Sequence, residues 1–222
     1  VKGKGRSAEW REIPWEEKVL EPQYLMDNKT YTKESVNTNR FFKLSFMDIT
    51  SATNSRTMIS SLVCNSPCGN SAPLLITNLI EKLVQVLNSF VYDFQTRMKC
   101  GGLHLNYYVI EETALFLHPF IPATVVPLIL KYSIPSEMFS IIWMCKYHKY
   151  YLNKGWKSIW AITFQERLRL RCILDALVSE FYNLEYKDLG WILRDCDHPK
   201  ENYSNKSITQ ALDPKGFWRI DK

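Results

Sequence analysis

The sequence predicts an α+β protein, with a β-rich part that contains one long amphipathic helix, followed by a mostly helical C-terminal part. Apolar and polar residues alternate over positions 42–49, which is the pattern of a half-buried strand, and a second strand candidate spans 57–64. Over positions 79–98 apolar residues instead recur at steps of three and four, as they do on one face of a helix. A second segment with helical spacing covers 164–182.

Composition and pattern divide the chain into three predicted parts. Residues 1–40 form an irregular N-terminal segment, residues 41–122 hold the strands and the long helix, and residues 123–222 are mostly helical with a loop-like tail. The apolar stretch 125–134 is too short and too interrupted by proline to span a membrane, so we expect no membrane partner. No apolar signal stretch follows Val1, and we expect the chain to be a piece of a longer protein.

Composition excludes some classes of protein. The chain has 222 residues, of which 46% are hydrophobic and 14% aromatic, so it is expected to fold around a packed core and not to be a disordered tail. Its net charge of +5 permits binding to nucleic acid without requiring it. The six cysteines are scattered without a disulfide framework, which predicts reduced thiols and a cytoplasmic protein.

The long helix is expected to begin at Asn78, where Glu81 completes a capping box, and to end at Gly101 and Gly102. Cationic, imidazole, amide and phenol side chains occupy its last turn and the residues directly after the glycines. Two interpretations are open at this point. The segment is either a core helix followed by an ordinary loop, or a surface that meets a polyanion.

Six blocks carry a family resemblance, and they occur in this order along the chain: 46–57, 69–75, 88–107, 166–177, 182–184 and 211–219. Together they resemble the C-terminal specificity region of large N6-adenine DNA methyltransferases, among them type IIG restriction–modification enzymes and methylases of related phage-defence systems. The layout is also similar to the target-recognition domains of type I specificity subunits. In the first block the family usually has two further arginines, where this chain has Met47 and Ser51.

The resemblance implies a target-recognition module that binds double-stranded DNA and positions the upstream methyltransferase domain of the same chain. The parent protein would use S-adenosylmethionine and would be an enzyme, with or without endonuclease activity. The fragment itself is expected to need no cofactor and to have no catalytic residue. It contains neither an Asn/Asp-Pro-Pro-aromatic loop for a flipped adenine nor a glycine-rich turn after a strand for a nucleoside cofactor.

Six residues are the candidates for contact with DNA: Arg56, Asn70, Arg97, Lys99, His104 and Asn106. Lysine and arginine attract phosphate, whereas asparagine, histidine and arginine can discriminate base edges in the major groove. Each has an alternative role. The two asparagines could cap the backbone in tight turns, and His104 could be a half-buried histidine satisfied within the fold.

Two other classes of function stay open. A metal-dependent nuclease would draw on Glu185 and Lys187, which have the carboxylate-x-lysine spacing of such sites but no well-placed partner carboxylate. A protein-interaction scaffold would use the apolar stretch 125–134 as its contact surface. Cys64 and Cys68 are too few for a zinc site, even with a distant histidine, so no metal ligands are predicted.

Overall fold

The computed structural model describes residues 12–19, 24–34, 42–52, 54, 56–116, 124–151 and 155–193. The strands are β1 (Phe42–Phe46), β2 (Ser60–Cys64) and β3 (Leu74–Leu75). The helices are α1 (Asn28–Glu34), α2 (Ile80–Leu87), α3 (Phe90–Lys99), α4 (Tyr107–Glu112), α5 (Val126–Ser133), α6 (Ser140–Lys146), α7 (His148–Tyr151), α8 (Trp156–Ile159), α9 (Phe164–Phe181) and α10 (Tyr186–Leu193). The predicted loop-like tail and the block 211–219 lie outside the described residues.

The sheet is antiparallel and has β1 at its centre, in the order β2-β1-β3. In register, Leu44 of β1 lies opposite Leu62 of β2 on one side and Leu75 of β3 on the other. Leu44 and Phe46 are buried, as the alternation in this segment predicts. The α+β fold class and both predicted strands are therefore confirmed, although β3 was not expected and the sheet is small for a β-rich part.

The expected single long helix is broken into α2 and α3, which corrects the prediction of one continuous element. Ser89 caps α3, because its hydroxyl accepts a hydrogen bond from the Tyr92 backbone N at 3.2 Å. The Asn88 side chain bonds to strand β2, accepting from Ser60 N at 2.9 Å and donating to Ser60 O at 3.0 Å. The Ser89 bond satisfies a backbone N–H group in the first turn of α3. The Asn88 bonds attach the junction of the two helices to the sheet.

The end of α3 agrees with the prediction, whereas the start of α2 does not. Helix α3 ends at Lys99, with Cys100 as its C-cap directly before the glycine pair, as expected. Helix α2 has Leu79 at its N-cap position, so it begins one residue later than a start capped by Asn78 predicts. Apolar periodicity continues through Asn88 and Ser89 and therefore could not reveal the break between the helices.

A single hydrophobic core joins the parts of the chain that composition separates at residue 122. Leu44 from the sheet, Leu87 from α2, and Leu174 and Val178 from α9 belong to one buried cluster. Helix α9 packs against α2, α3 and α5. Its range confirms the second predicted helix, and Thr163 caps its start by accepting from Glu166 N at 3.2 Å. The C-terminal helices thus help to hold the elements of the N-terminal part.

The apolar stretch 125–134 forms helix α5, and its large side chains are used inside the molecule. Ile129, Leu130 and Ile134 are fully buried within the core. Val126 and Leu128 of the same stretch are half-buried, and the use of this stretch as a contact surface for a protein partner stays a prediction. None of the helices in the described part is at once long and apolar enough to cross a lipid bilayer.

Helix α9 ends in a left-handed residue that is not glycine. Asn183 has φ of 52°, its backbone N donates to Glu180 O at 2.9 Å, and Leu184 N donates to Ser179 O at 3.0 Å. This pair of bonds is a Schellman motif, which usually places glycine at the left-handed position. Asparagine tolerates that conformation better than residues with larger or branched side chains.

We expect Asn183→Ala to lower the free energy of unfolding by about 1 kcal/mol, because alanine adopts the left-handed conformation at a cost. The matched variant Asn183→Gly should leave it unchanged or raise it, since glycine adopts that conformation freely. Urea unfolding at 25 °C measures both variants. Equal stability of the alanine and glycine variants would contradict the assignment.

Candidate nucleic-acid interface

The carboxylate of Asp93 is fully buried and joins helix α3 to the connection between β1 and β2. Its Oδ1 accepts hydrogen bonds from the backbone N of Thr57 at 2.8 Å and of Met58 at 2.7 Å. Its Oδ2 accepts from Arg97 Nη2, one helical turn further along, at 3.0 Å. A buried charge needs such partners to offset its lost hydration. Asp93 therefore fixes the position of the connection relative to the helix.

Arg97, a predicted DNA contact, faces the protein. Its side chain is 9% exposed, and besides Asp93 it donates from Nη1 to Ala52 O at 3.2 Å. The guanidinium thus bonds two sequence blocks together. Direct contact of Arg97 with phosphate stays a prediction, and it would require the side chain to leave these partners.

Arg56, the second arginine among the predicted contacts, is also directed inward. It is 8% exposed, and its guanidinium carbon lies 3.7 Å from the centre of the Phe90 ring, in cation–π geometry. Burial lowers the pKa of Arg56 to about 10, opposed chiefly by the carboxylate of Asp175. The group is still protonated at neutral pH. Its placement favours a structural role, and contact with DNA stays untested.

The residues after the glycine pair are held against the end of β1 by a short antiparallel bridge. Ile49 lies opposite His104, with Thr50 N donating to Leu103 O at 3.0 Å and Leu105 N donating to Asp48 O at 2.7 Å. Leu105 is buried, which anchors the segment in the core. The bridge brings the first block of the resemblance, 46–57, against the third.

His104 lies on the outer side of this bridge. Its side chain is 60% exposed, and Nδ1 is 2.8 Å from Asp48 Oδ2. The carboxylate orients the imidazole and leaves its other nitrogen directed away from this bond, so it is able to meet a ligand. This geometry differs from the alternative of a half-buried histidine satisfied within the fold.

A cleft of about 410 Å³ opens beside this pair, and we call it the amide cleft. It is lined by Asp48, residues of the segment 68–74, and residues 105–107. The Tyr107 hydroxyl lies 3.2 Å from both the backbone N and O of Leu74, and its ring meets Phe46 edge-on at 5.6 Å. Tyr107 therefore fastens one wall of the cleft to the edge strand β3.

Asn70 and Asn106 are among the residues that line the amide cleft. Both residues are exposed, and neither side chain has a hydrogen-bond partner within the described part of the chain. Asn106 occupies the N-cap position of α4, yet its side chain makes no cap bond. These two side chains therefore do not cap the backbone here, and their donors and acceptors are available to a ligand.

Lys99 is the exposed cation of the predicted set. It lies in the last turn of α3, and its ammonium donates to the Glu112 carbonyl at the end of α4. The structure thus brings Asn70, His104 and Asn106 to one surface and leaves Lys99 exposed on α3. Sequence reasoning missed Asp48 and Asp93, although an acid four residues before Arg97 on a helix was a usable signal.

Features that would favour other functions are sparse in the described ranges. Within them, no group of three or more His, Cys, Asp or Glu side chains is placed to hold a metal ion. At the start of α10, Glu185 N bonds to the Asp188 carboxylate at 2.9 Å, and Tyr186 and Lys187 are exposed. Comparison of the chain with protein-family models, with curated proteins and with solved structures gave no match.

We expect Asp93→Asn to lower the free energy of unfolding by about 3 kcal/mol, because the amide leaves the Arg97 charge uncompensated and turns a donor toward either the guanidinium or the backbone N–H groups. Urea unfolding measures the loss. Glu180→Gln, the same chemical change at an exposed position of α9, serves as control and should stay within about 0.5 kcal/mol. Similar values for the two variants would show that Asp93 is not the constraint described here.

Proposed function

We propose that this chain is the target-recognition module of an N6-adenine DNA methyltransferase of the restriction–modification or phage-defence type. It binds double-stranded DNA and positions an upstream methyltransferase domain of the same protein, which uses S-adenosylmethionine, in the cytoplasm. The module itself carries no catalytic group in this proposal. Its task is to hold the duplex and discriminate its sequence.

One observation carries the proposal. The first three blocks of the family resemblance are far apart in the sequence, yet they line the same cleft. Asp48 comes from block 46–57, Asn70 from block 69–75 and Asn106 from block 88–107. A shared binding surface accounts for such convergence, whereas a resemblance due only to core packing would concentrate on buried residues. Exposed and unengaged amides at the meeting point support the binding interpretation.

The side chains suggest a division of labour. Lys99 supplies an exposed positive charge for phosphate, and its contribution depends on salt but carries no sequence information. Asn70, His104 and Asn106 present donors and acceptors for base edges. Arg97 acts as a positioning residue, because its bonds to Asp93 and Ala52 hold the bridge and the cleft in place.

We expect the chain to bind a pool of duplexes with a randomised core, with an affinity that falls steeply as salt rises. Lys99→Ala should weaken binding to all sequences by a similar factor and reduce the slope against log salt by about 1. Fluorescence anisotropy over a salt series measures both quantities. Lys149→Ala, at an exposed position of α7 outside the cleft, is the control and should change neither. A chain without measurable affinity for DNA would overturn the proposed function.

We expect His104→Ala to alter the sequence preference of the module more than its overall affinity, because the imidazole faces outward beside the cleft. Selection from the same pool, followed by sequencing of the bound fraction, measures the preference. His148→Ala, an exposed histidine on α7, is the matched control. An unchanged preference combined with uniform weakening would assign His104 to phosphate.

A further inference from the structure

The strongest unassigned feature is the hydrogen-bonding chemistry of the amide cleft. We propose that the cleft reads adenine at a position of the target other than the methylated base, through Asn70 or Asn106, and disfavours guanine there. The inference rests on the proposed function and specifies the base class that this surface selects.

Among the residues that line the cleft, the Cys68 thiol and the Tyr107 hydroxyl bond to backbone groups, which leaves two carboxamides and one carboxylate as the side-chain groups considered for a ligand. Each carboxamide has a donor and an acceptor on neighbouring atoms, while the Asp48 carboxylate is an acceptor only, with one oxygen facing His104. In the major groove adenine offers the N6 amino donor beside the N7 acceptor. A carboxamide matches both at once. Guanine offers two acceptors, N7 and O6, so it could accept from the carboxamide NH2 but would leave the carboxamide oxygen facing an acceptor.

The arginines near this surface are engaged elsewhere, which strengthens the inference. A guanidinium is the group that most often reads guanine in the major groove. Arg56 is stacked on Phe90 and Arg97 is bonded to Asp93, and among the described residues no lysine or arginine lines the amide cleft. Within this part of the chain, the cleft therefore lacks the group that most often reads guanine and holds one that can pair with adenine through two bonds.

Cytosine is the nearest competitor, because its N4 amino group could donate to the Asp48 carboxylate. Adenine is favoured over it for a geometric reason. Cytosine presents a single donor and no neighbouring acceptor, so the donor half of the Asn70 or Asn106 carboxamide would have no partner on it. The inference therefore names adenine as the base and N7 as the atom that distinguishes it.

The test starts from the motif that the wild-type chain selects out of a random duplex pool. Each adenine of that motif is then replaced in turn by 7-deazaadenine, which keeps the base pair and the N6 amino group but removes N7. At the position read by the cleft we expect affinity to fall roughly 5- to 150-fold, the range for a desolvated donor left without its acceptor. Full affinity at every substituted position would overturn the inference.

Two variants connect that position to the cleft. Asn106→Asp and Asn70→Asp keep the size of the side chain and remove its donor, and aspartate is an equally good N-cap residue for α4. At least one should lose the sensitivity to 7-deazaadenine and shift its selected base from adenine toward cytosine. Asn183→Asp makes the same chemical change at the end of α9 and should leave the motif as it is in the wild type.

The possible outcomes distinguish failure of the adenine inference from failure of the proposed function. DNA binding with a motif that neither cleft variant changes would overturn the reading of adenine and leave the proposed function standing. A variant-sensitive position occupied by guanine would do the same. Absence of DNA binding by the wild-type chain would overturn both proposals.

Discussion

The buried carboxylate of Asp93 is the interaction on which the outer surface of this molecule depends. A carboxylate removed from water is costly unless several donors surround it, and here two backbone N–H groups and one guanidinium do so. Two of these donors belong to the connection after β1 and the third to α3. Satisfying one charge therefore sets the distance between the helix and the sheet, and with it the place where the residues after Gly102 can return.

In this arrangement the two arginines near the surface serve the fold, and a lysine is the cation that stays exposed among the predicted residues. Both arginines make their contacts inside the protein. Arg97 is paired with Asp93, and Arg56 is stacked on Phe90. Among the six predicted DNA contacts, the exposed side chains are two amides, one imidazole and one lysine. A surface of this kind suits discrimination between base edges better than strong general attraction to phosphate. If the proposed function holds, much of the affinity for DNA would come from basic residues outside this surface.

The C-terminal helices contribute to the same geometry. At the junction between α2 and α3, Phe90 N donates to Asp175 Oδ1 at 2.9 Å and the Gln85 amide donates to Leu174 O at 2.8 Å. Both acceptors lie on α9, so this helix is bonded to the same two helices that Asn88 attaches to β2. The position of the amide cleft thus depends on residues far along the chain that do not touch it.

The sequence by itself determined the α+β class, strands β1 and β2, helix α9 and the end of α3 before the glycines. These follow from local periodicity and from residues with strong backbone preferences. Only the tertiary structure decided that the long helix breaks at Asn88 and Ser89, that residues 74–75 pair as a strand, and that two arginines face inward. Each of these features depends on a hydrogen bond or ring contact between residues that are distant in the chain. The spacing of apolar residues along the chain does not report such long-range contacts.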